Sequence, residues 1–252
     1  MSAHIKVGVL GAQGRMGAQV VAAINQAADM ELVAALDVSD NLDQLVTSGA
    51  EVVVDFTTPD GVMGNLEFLI GHDIHGVVGT TGFDETRISI LSQLLSTHPL
   101  VGVLVAPNFA IGAVLMMEFA AKASRYFESA EIIELHHPLK VDAPSGTAIR
   151  TAELMTNARA SAGMKAMPDA TTQIIEGARG ATIGDIPIHS LRVRGLVAHQ
   201  EVLLGGPGET LTIRHDSLDR VGFMPGVLLG VRSVISHPGL TFGLEHFMDL
   251  SN

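Results

Sequence analysis

The sequence predicts an α/β protein in two domains: a doubly wound parallel sheet with crossover helices, and an α+β domain with a mostly antiparallel sheet. Three observations carry this. Short β-rich runs alternate with helically spaced apolar residues as far as Pro107, the pattern of parallel strands joined by helices. A glycine-rich turn lies between the first strand-like run and the first helical one. In the second half, three strand-like runs follow one another without a helix between them. The length of 252 residues is about 1.7 times a typical domain of roughly 150.

Ile5–Leu10 is an apolar, β-branched run ending at Gly11, and residues 14 to about 28 carry Met16, Val20, Ala23, Ile24 and Ala27 at helical spacing. Glu31–Leu36, Val52–Phe56, His75–Gly79 and Val101–Val105 read as the next four strands, with helices near Gly61–Ile70 and Glu85–Ser96. Their near-continuous Val, Ile and Leu content suits a sheet covered on both faces. Beyond Pro107, Ala110–Tyr126 and Gly146–Ala160 read as helices and Glu131–His136 as a strand. Ala162–Gly180, rich in Gly, Pro, Thr and Asp, reads as an ordered loop. Ile186–Arg194, Ala198–Leu204 and Glu209–His215 read as a meander turning at residues 205–208, and Gly226–Ile235 as a final helix.

Composition removes several function classes. The formal charge of −12 argues against a nucleic-acid partner, which calls for a basic face. An anionic ligand therefore needs a local exception to the negative field. With no cysteine, disulfides, thiol nucleophiles and cysteine-based metal sites are absent. No apolar run approaches the roughly 18 residues of a membrane span, and the opening Met1-Ser2-Ala3-His4 carries no charged-then-apolar leader. A cytoplasmic location is expected.

The first strand–helix junction is Gly11-Ala12-Gln13-Gly14-Arg15-Met16-Gly17, a G-x-x-G-x-x-G variant of the usual G-x-G-x-x-G. Glycines permit the tight turn, and the following helix start offers N–H groups and a partial positive charge to a pyrophosphate. An ordinary glycine turn is the competing reading. Asp37, 20 residues past Gly17 at the end of the second strand, stands where an acid takes the adenine-ribose hydroxyls, and favours a Rossmann-type dinucleotide site. A carboxylate there repels a 2′-phosphate and Val38 supplies no cation, so NADH is expected to be preferred and NADPH tolerated. Arg15 remains within reach of a phosphate.

Two further loops fall at strand C-termini, Gly79-Thr80-Thr81-Gly82-Phe83 and Ala106-Pro107-Asn108-Phe109, where open α/β sheets bind ligands. Plain turn chemistry is the alternative. The densest chemistry is His136-His137-Pro138-Leu139-Lys140-Val141-Asp142-Ala143-Pro144-Ser145-Gly146-Thr147. A helix opening at Ser145-Gly146-Thr147, together with the Lys140 ammonium, forms a cradle for carboxylates. Adjacent strand residues point to opposite faces, so His136 and His137 are poorly placed to share a metal, and no metal site is expected. A histidine beside a lysine and an anion-binding helix end suits proton donation near neutrality. The other nine histidines read as structural.

These strings, G-A-Q-G-R-M-G, G-T-T-G-F, A-P-N-F and above all E-L-H-H-P-L-K-V-D-A-P-S-G-T, resemble the dihydrodipicolinate reductase family, in order, from residue 5 to about 235. The resemblance implies a dinucleotide-binding domain of residues 1–110 and 220–252, with a substrate-binding and oligomerisation domain, 111–219, inserted in it. It implies reduction of a cyclic imine dicarboxylate, dihydrodipicolinate formed from 4-hydroxy-tetrahydrodipicolinate, to tetrahydrodipicolinate by NADH or NADPH, in lysine and diaminopimelate biosynthesis. It also implies a homotetramer built through the substrate-domain sheets. Carried over residue by residue, His136 is the acid and Lys140 a second catalytic residue, while His137, Gly146 and Thr147 contact substrate. Gly11, Ala12, Gln13, Gly14, Arg15, Met16, Asp37, Gly79, Thr80, Thr81, Ala106, Pro107, Asn108 and Phe109 line the coenzyme. Val38 and Thr58 depart from members that carry basic residues there, which weakens a strict NADPH requirement. The rivals are another amino-acid imine reductase, such as an aspartate dehydrogenase, and a dinucleotide-sensing regulator without chemistry.

Overall fold

The structure, a computed structural model, describes residues 4–250; Met1-Ser2-Ala3, the start of the segment read as lacking a leader, lies outside the described residues. The chain divides into two compact units, Met1–Ala110 with Arg220–Asn252, and Ile111–Asp219.

In the first unit, β1 (Ile5–Leu10) leads through the glycine turn into α1 (Gly17–Gln26). Then follow β2 (Met30–Leu36), α2 (Asp43–Thr47), β3 (Val52–Asp55), α3 (Val62–Gly71), β4 (His75–Val78), α4 (Glu85–Ser96) and β5 (Gly102–Val105). Every residue of β3 and of β5 is buried, as a sheet covered on both faces requires. α4 begins where expected because Asp84 caps it, its carboxylate accepting the Arg87 N–H at 2.8 Å. α1 begins three residues later than the spacing predicts: residues 11–16 are a turn, with the Gly14 N–H bonded to the Gly11 carbonyl at 3.0 Å. The five-residue α2 has no counterpart in the sequence reading.

The second unit runs α5 (Ile111–Ser124), β6 (Ser129–His136), α6 (Gly146–Ser161), β7 (Ala181–Ile183), β8 (Ile186–Arg192), β9 (Ala198–Gly206) and β10 (Glu209–Ser217). Its sheet order is β10-β9-β6-β8-β7, with β6 parallel to β8 and every other pair antiparallel. This corrects the meander reading. β6 lies between β8 and β9, so of the three strands β8, β9 and β10 only the last two form a hairpin, through Pro207-Gly208. The apolar alternation of β6, with Ala130 and Ile132 buried, completes the core between those two strands.

The chain then returns to the first unit with α7 (Met224–Val234) and β11 (Gly239–Phe242). β11 adds to β5, giving the all-parallel order β11-β5-β4-β3-β1-β2. Strand order reverses direction at β1, so the turn after β1 and the loop after β3 flank a topological switch point, where such sheets bind ligands. Among the described residues no helix is long and apolar enough to cross a membrane.

Candidate active site

The glycine turn in the first unit is held to its shape by backbone crowding. Gly11 has φ +74° and a Cβ on it would stand 2.6 Å from the Phe56 carbonyl oxygen, while a Cβ on Gly17 would overlap the Gly11 carbonyl. No side chain caps α1, and its Ala18 N–H donates to the Gly14 carbonyl of the glycine turn at 2.9 Å. Ala12 donates to the Leu36 carbonyl at 3.1 Å, and Gln13 donates its backbone N–H to Asp37 Oδ2 at 2.9 Å. The glycine turn and the acid ending β2 are thus brought together. Hydrogen bonds from the Val38 and Gln13 N–H groups hold the Asp37 carboxyl below its usual range. Gly14 and Arg15 are exposed and Met16 half-buried.

The two later loops share a buried scaffold. Asp55, at the end of β3 and fully buried, accepts the Thr57 N–H and hydroxyl at 2.9 and 2.7 Å, the Thr80 hydroxyl at 2.8 Å and the Asn65 amide at 2.8 Å. The Thr80 hydroxyl is therefore committed to the loop, while Thr81 is exposed. The Phe56 ring packs 5.8 Å from that of Phe109 and occupies the place a Cβ on Gly79 would take. Ala106 donates to the Val78 carbonyl at 3.0 Å, beside Gly79. Asn108 accepts the Ala110 N–H at 2.8 Å, and Pro107 is exposed. Asp55, Thr57 and Asn65 are residues that sequence reasoning missed.

In the second unit, His136 ends β6 and Glu134 lies two residues earlier on the same face. Glu134 is fully buried. Its Oε2 accepts from His136 Nδ1 at 2.5 Å, and its two oxygens accept from both terminal nitrogens of Arg192 at 2.8 Å. Its Oε1 also accepts the Ser145 N–H at 3.2 Å. Burial pushes the Glu134 carboxyl upward, but hydrogen bonds from His136, Arg192 and Ser190 outweigh it and bring the pKa to about 2. The same hydrogen bond from Arg192 to Glu134 raises the guanidinium above its usual value.

Ser145 caps α6, accepting the Ala148 N–H at 3.2 Å. Gly146, the next residue, is exposed, and a Cβ there would meet nothing within 4 Å, so the helix start opens onto free space beside the His136 cluster. Lys140 Nζ pairs with Asp142 Oδ1 at 2.8 Å. Arg192 donates to the Asp142 carbonyl at 2.7 Å, which joins the lysine loop to the same cluster. His137 Nδ1 is buried with no hydrogen-bond partner among the described residues. The structure thus gathers His136, Ser145 and Gly146 directly and Lys140 through Asp142, and adds Glu134 and Arg192. Among the described residues no cluster of three or more His, Asp or Glu could hold a metal ion.

Family models described as dihydrodipicolinate reductase, N-terminus, and dihydrodipicolinate reductase, C-terminus, match residues 5–109 and 112–248. The chain belongs to the dihydrodipicolinate reductase family. It is 60% identical over 247 residues to the 4-hydroxy-tetrahydrodipicolinate reductase of Streptomyces griseus, covering 98% of this chain and 99% of that one. It is also 60% identical over 246 residues to that of Corynebacterium diphtheriae, with the same coverage. A dipicolinate-bound dihydrodipicolinate reductase from a Paenisporosarcina species superposes with a TM-score of 0.88 at 40% identity, covering 97% of this chain and 100% of that one. A scyllo-inositol dehydrogenase from Lactobacillus casei, at a TM-score of 0.63 and 13% identity, shares the fold alone. Members of the reductase family use a nicotinamide dinucleotide.

Proposed function

We infer that the chain is a 4-hydroxy-tetrahydrodipicolinate reductase, reducing the cyclic imine dicarboxylate to tetrahydrodipicolinate at the expense of a reduced nicotinamide dinucleotide. The observation that carries this reading is the cluster at the end of β6. An imidazole held by a buried carboxylate stands beside an open helix start and a lysine, in a chain that matches reductases of this activity over 98% of its length.

The coenzyme residues are Gly11, Ala12, Gln13, Gly14, Arg15 and Met16 for the pyrophosphate, Asp37 for the adenine ribose, and Gly79, Thr80, Thr81, Ala106, Pro107, Asn108 and Phe109 for the nicotinamide end. The crowded glycines fit that assignment: with no room for a Cβ at Gly11 or Gly17, the turn keeps the tight shape that a phosphate-binding loop needs. When bound, the dinucleotide supplies a hydride to the substrate ring. His136 presents Nε2, the nitrogen that Glu134 does not engage, and protonates the enamine carbon left after reduction. Lys140, with the Gly146 and Thr147 amides, grips a ring carboxylate and offsets developing negative charge. His137 orients the ring.

NADH is the preferred coenzyme, because Asp37 is an anion at the ribose position and Val38 beside it is wholly exposed and uncharged. The assembly is a homotetramer built on the sheet of the second unit. α5 and α6 pack on the sheet face that carries Gln200 and His215, while Ile133, Leu135 and Leu203 alternate onto the opposite face. A cytoplasmic location accords with the biosynthetic role of the family.

The test is coenzyme oxidation with enzymatically generated 4-hydroxy-tetrahydrodipicolinate, with and without pyridine-2,6-dicarboxylate. Substrate-dependent oxidation, inhibited competitively by the dicarboxylate, is expected. Oxidation only with open-chain imines such as iminosuccinate would replace this reading with an aspartate dehydrogenase, and binding without oxidation would replace it with a regulator.

A further inference from the structure

We propose that Glu134 is a positioning residue for catalysis, which together with Arg192 locks His136 in the tautomer and orientation that direct Nε2 at the substrate. The proposal rests on the acid role given to His136 above and deepens it.

The strand geometry makes the arrangement unavoidable. Residues two apart on a strand share a face, so Glu134 and His136 lie side by side on β6. The register sets Ser190 of β8 beside Glu134 and Arg192 beside His136. Arg192 does not engage the ring; its fork turns back to both Glu134 oxygens at 2.8 Å. With the Ser145 N–H and His136 Nδ1 added, the carboxylate is surrounded by donors. An ionised carboxylate accepts and never donates. The ring nitrogen facing it must therefore carry a proton, so in the neutral ring Nδ1 is protonated and Nε2 bears the lone pair. Once the ring is charged, Nε2–H is the proton free to leave, and its loss returns the Nδ1–H tautomer that Glu134 already holds. No ring flip is needed between turnovers.

A purely structural reading is also open to such a buried hub, and the two differ in what a substitution does. In Glu134→Gln the Arg192 donors claim the amide oxygen, which leaves the amide N–H₂ facing His136 and favours the Nε2–H tautomer. An orienting carboxylate of this kind acts through the tautomer it selects, and partners that orient a functional histidine typically matter by roughly ten- to a hundredfold.

The decisive experiment is a double-mutant cycle on the full-length enzyme with Glu134→Gln, His136→Ala and the pair, read as kcat, KM for the imine and the dissociation constant for NADH. Glu134→Gln should lower kcat by roughly ten- to a hundredfold, with KM and NADH binding unchanged, and Glu134→Asp should recover part of the loss. In the His136→Ala background Glu134→Gln should cost nothing further. An equal loss in both backgrounds, or no loss in the wild-type background, overturns the positioning role. A negligible effect of His136→Ala itself instead overturns the acid assignment, and the proposal with it. Nitrogen-15 NMR of the labelled wild-type enzyme needs no variant to fold: the neutral His136 ring should show a protonated Nδ1, and a protonated Nε2 would overturn the proposal.

Discussion

Asp37 Oδ2 accepts the Gln13 backbone N–H at 2.9 Å, so the acid that ends β2 is clamped to the middle of the glycine turn. In the function proposed above, the clamped carboxylate meets a ribose 2′-hydroxyl and opposes a 2′-phosphate. Steady-state kinetics should give a higher kcat/KM for NADH than for NADPH. Asp37→Ala should lower the NADH value by roughly tenfold, the scale of one hydrogen bond to a charged group, with a smaller effect on NADPH. A wild-type kcat/KM for NADPH about ten times that for NADH, the worth of that same hydrogen bond, would refute this assignment.

His136→Ala should reduce kcat by roughly 10²–10⁴, the usual contribution of a positioned acid, with a folded chain of somewhat lower melting temperature. The ring is largely buried at the end of β6 and donates to the buried Glu134, which loses that donor in the variant. A loss of less than about threefold, far below what a positioned acid contributes, would show that the proton comes from elsewhere.

Lys140 pairs with Asp142 at 2.8 Å, with both side chains in partial contact with water. Such a pair is worth little, so the ammonium can exchange Asp142 for a ligand carboxylate at small cost. Lys140→Ala should therefore lower kcat and raise KM for the imine together. An unchanged KM would remove the lysine from the carboxylate clamp.

Much of this was legible in the sequence, and what was not has identifiable causes. α4 and α6 were readable because Asp84 and Ser145 are helix caps at their expected places. The five-residue α2 and the three-residue β7 escaped because such short segments carry no periodicity, and β11, with the sequence GLTF, because it lacks the valines that marked the equally short β3, β4 and β5. β11 is an edge strand held by its pairing with β5, a partner more than a hundred residues distant. In the site, His136, Lys140 and Gly146 announced themselves by adjacency. Glu134 carries a local signal of its own: a carboxylate two residues before a histidine on one strand shares its face. Arg192 has none, since only the β6–β8 register brings it to Glu134. Asp55 was likewise hidden, because its partners Thr57, Asn65 and Thr80 meet only when the loops after β3 and β4 fold together.

Gly79→Ala tests the packing beneath the loops that follow β4 and β5. The added methyl would enter the space of the Phe56 ring, which itself packs on Phe109. Overpacking of this kind costs about 1–3 kcal/mol. The variant should melt at a lower temperature and bind NADH more weakly, and Phe56→Leu in the same chain should restore part of both. If Gly79→Ala matched the wild type in both measurements, the close approach of Gly79 and Phe56 would have no energetic weight.

The buried Glu134 carboxylate also makes a prediction for stability in acid. Its pKa falls from 4.5 to about 2 on folding. A carboxyl with a depressed folded pKa stabilises the native state above the unfolded value, and that contribution disappears as pH falls through the folded one. The relevant window is therefore about pH 4.5 to 2, and a shift of this size corresponds to about 3 kcal/mol. Denaturant unfolding of wild type and Glu134→Gln, followed from about pH 6 downward, should show their stability difference shrinking across that window, because the protonated carboxyl and the amide that replaces it are then both neutral. Arg192 remains charged throughout, so the shrinkage reports the carboxylate alone. A difference that held constant from about pH 6 to about pH 2 would mean that the Arg192 and His136 contacts contribute no charge-dependent stability.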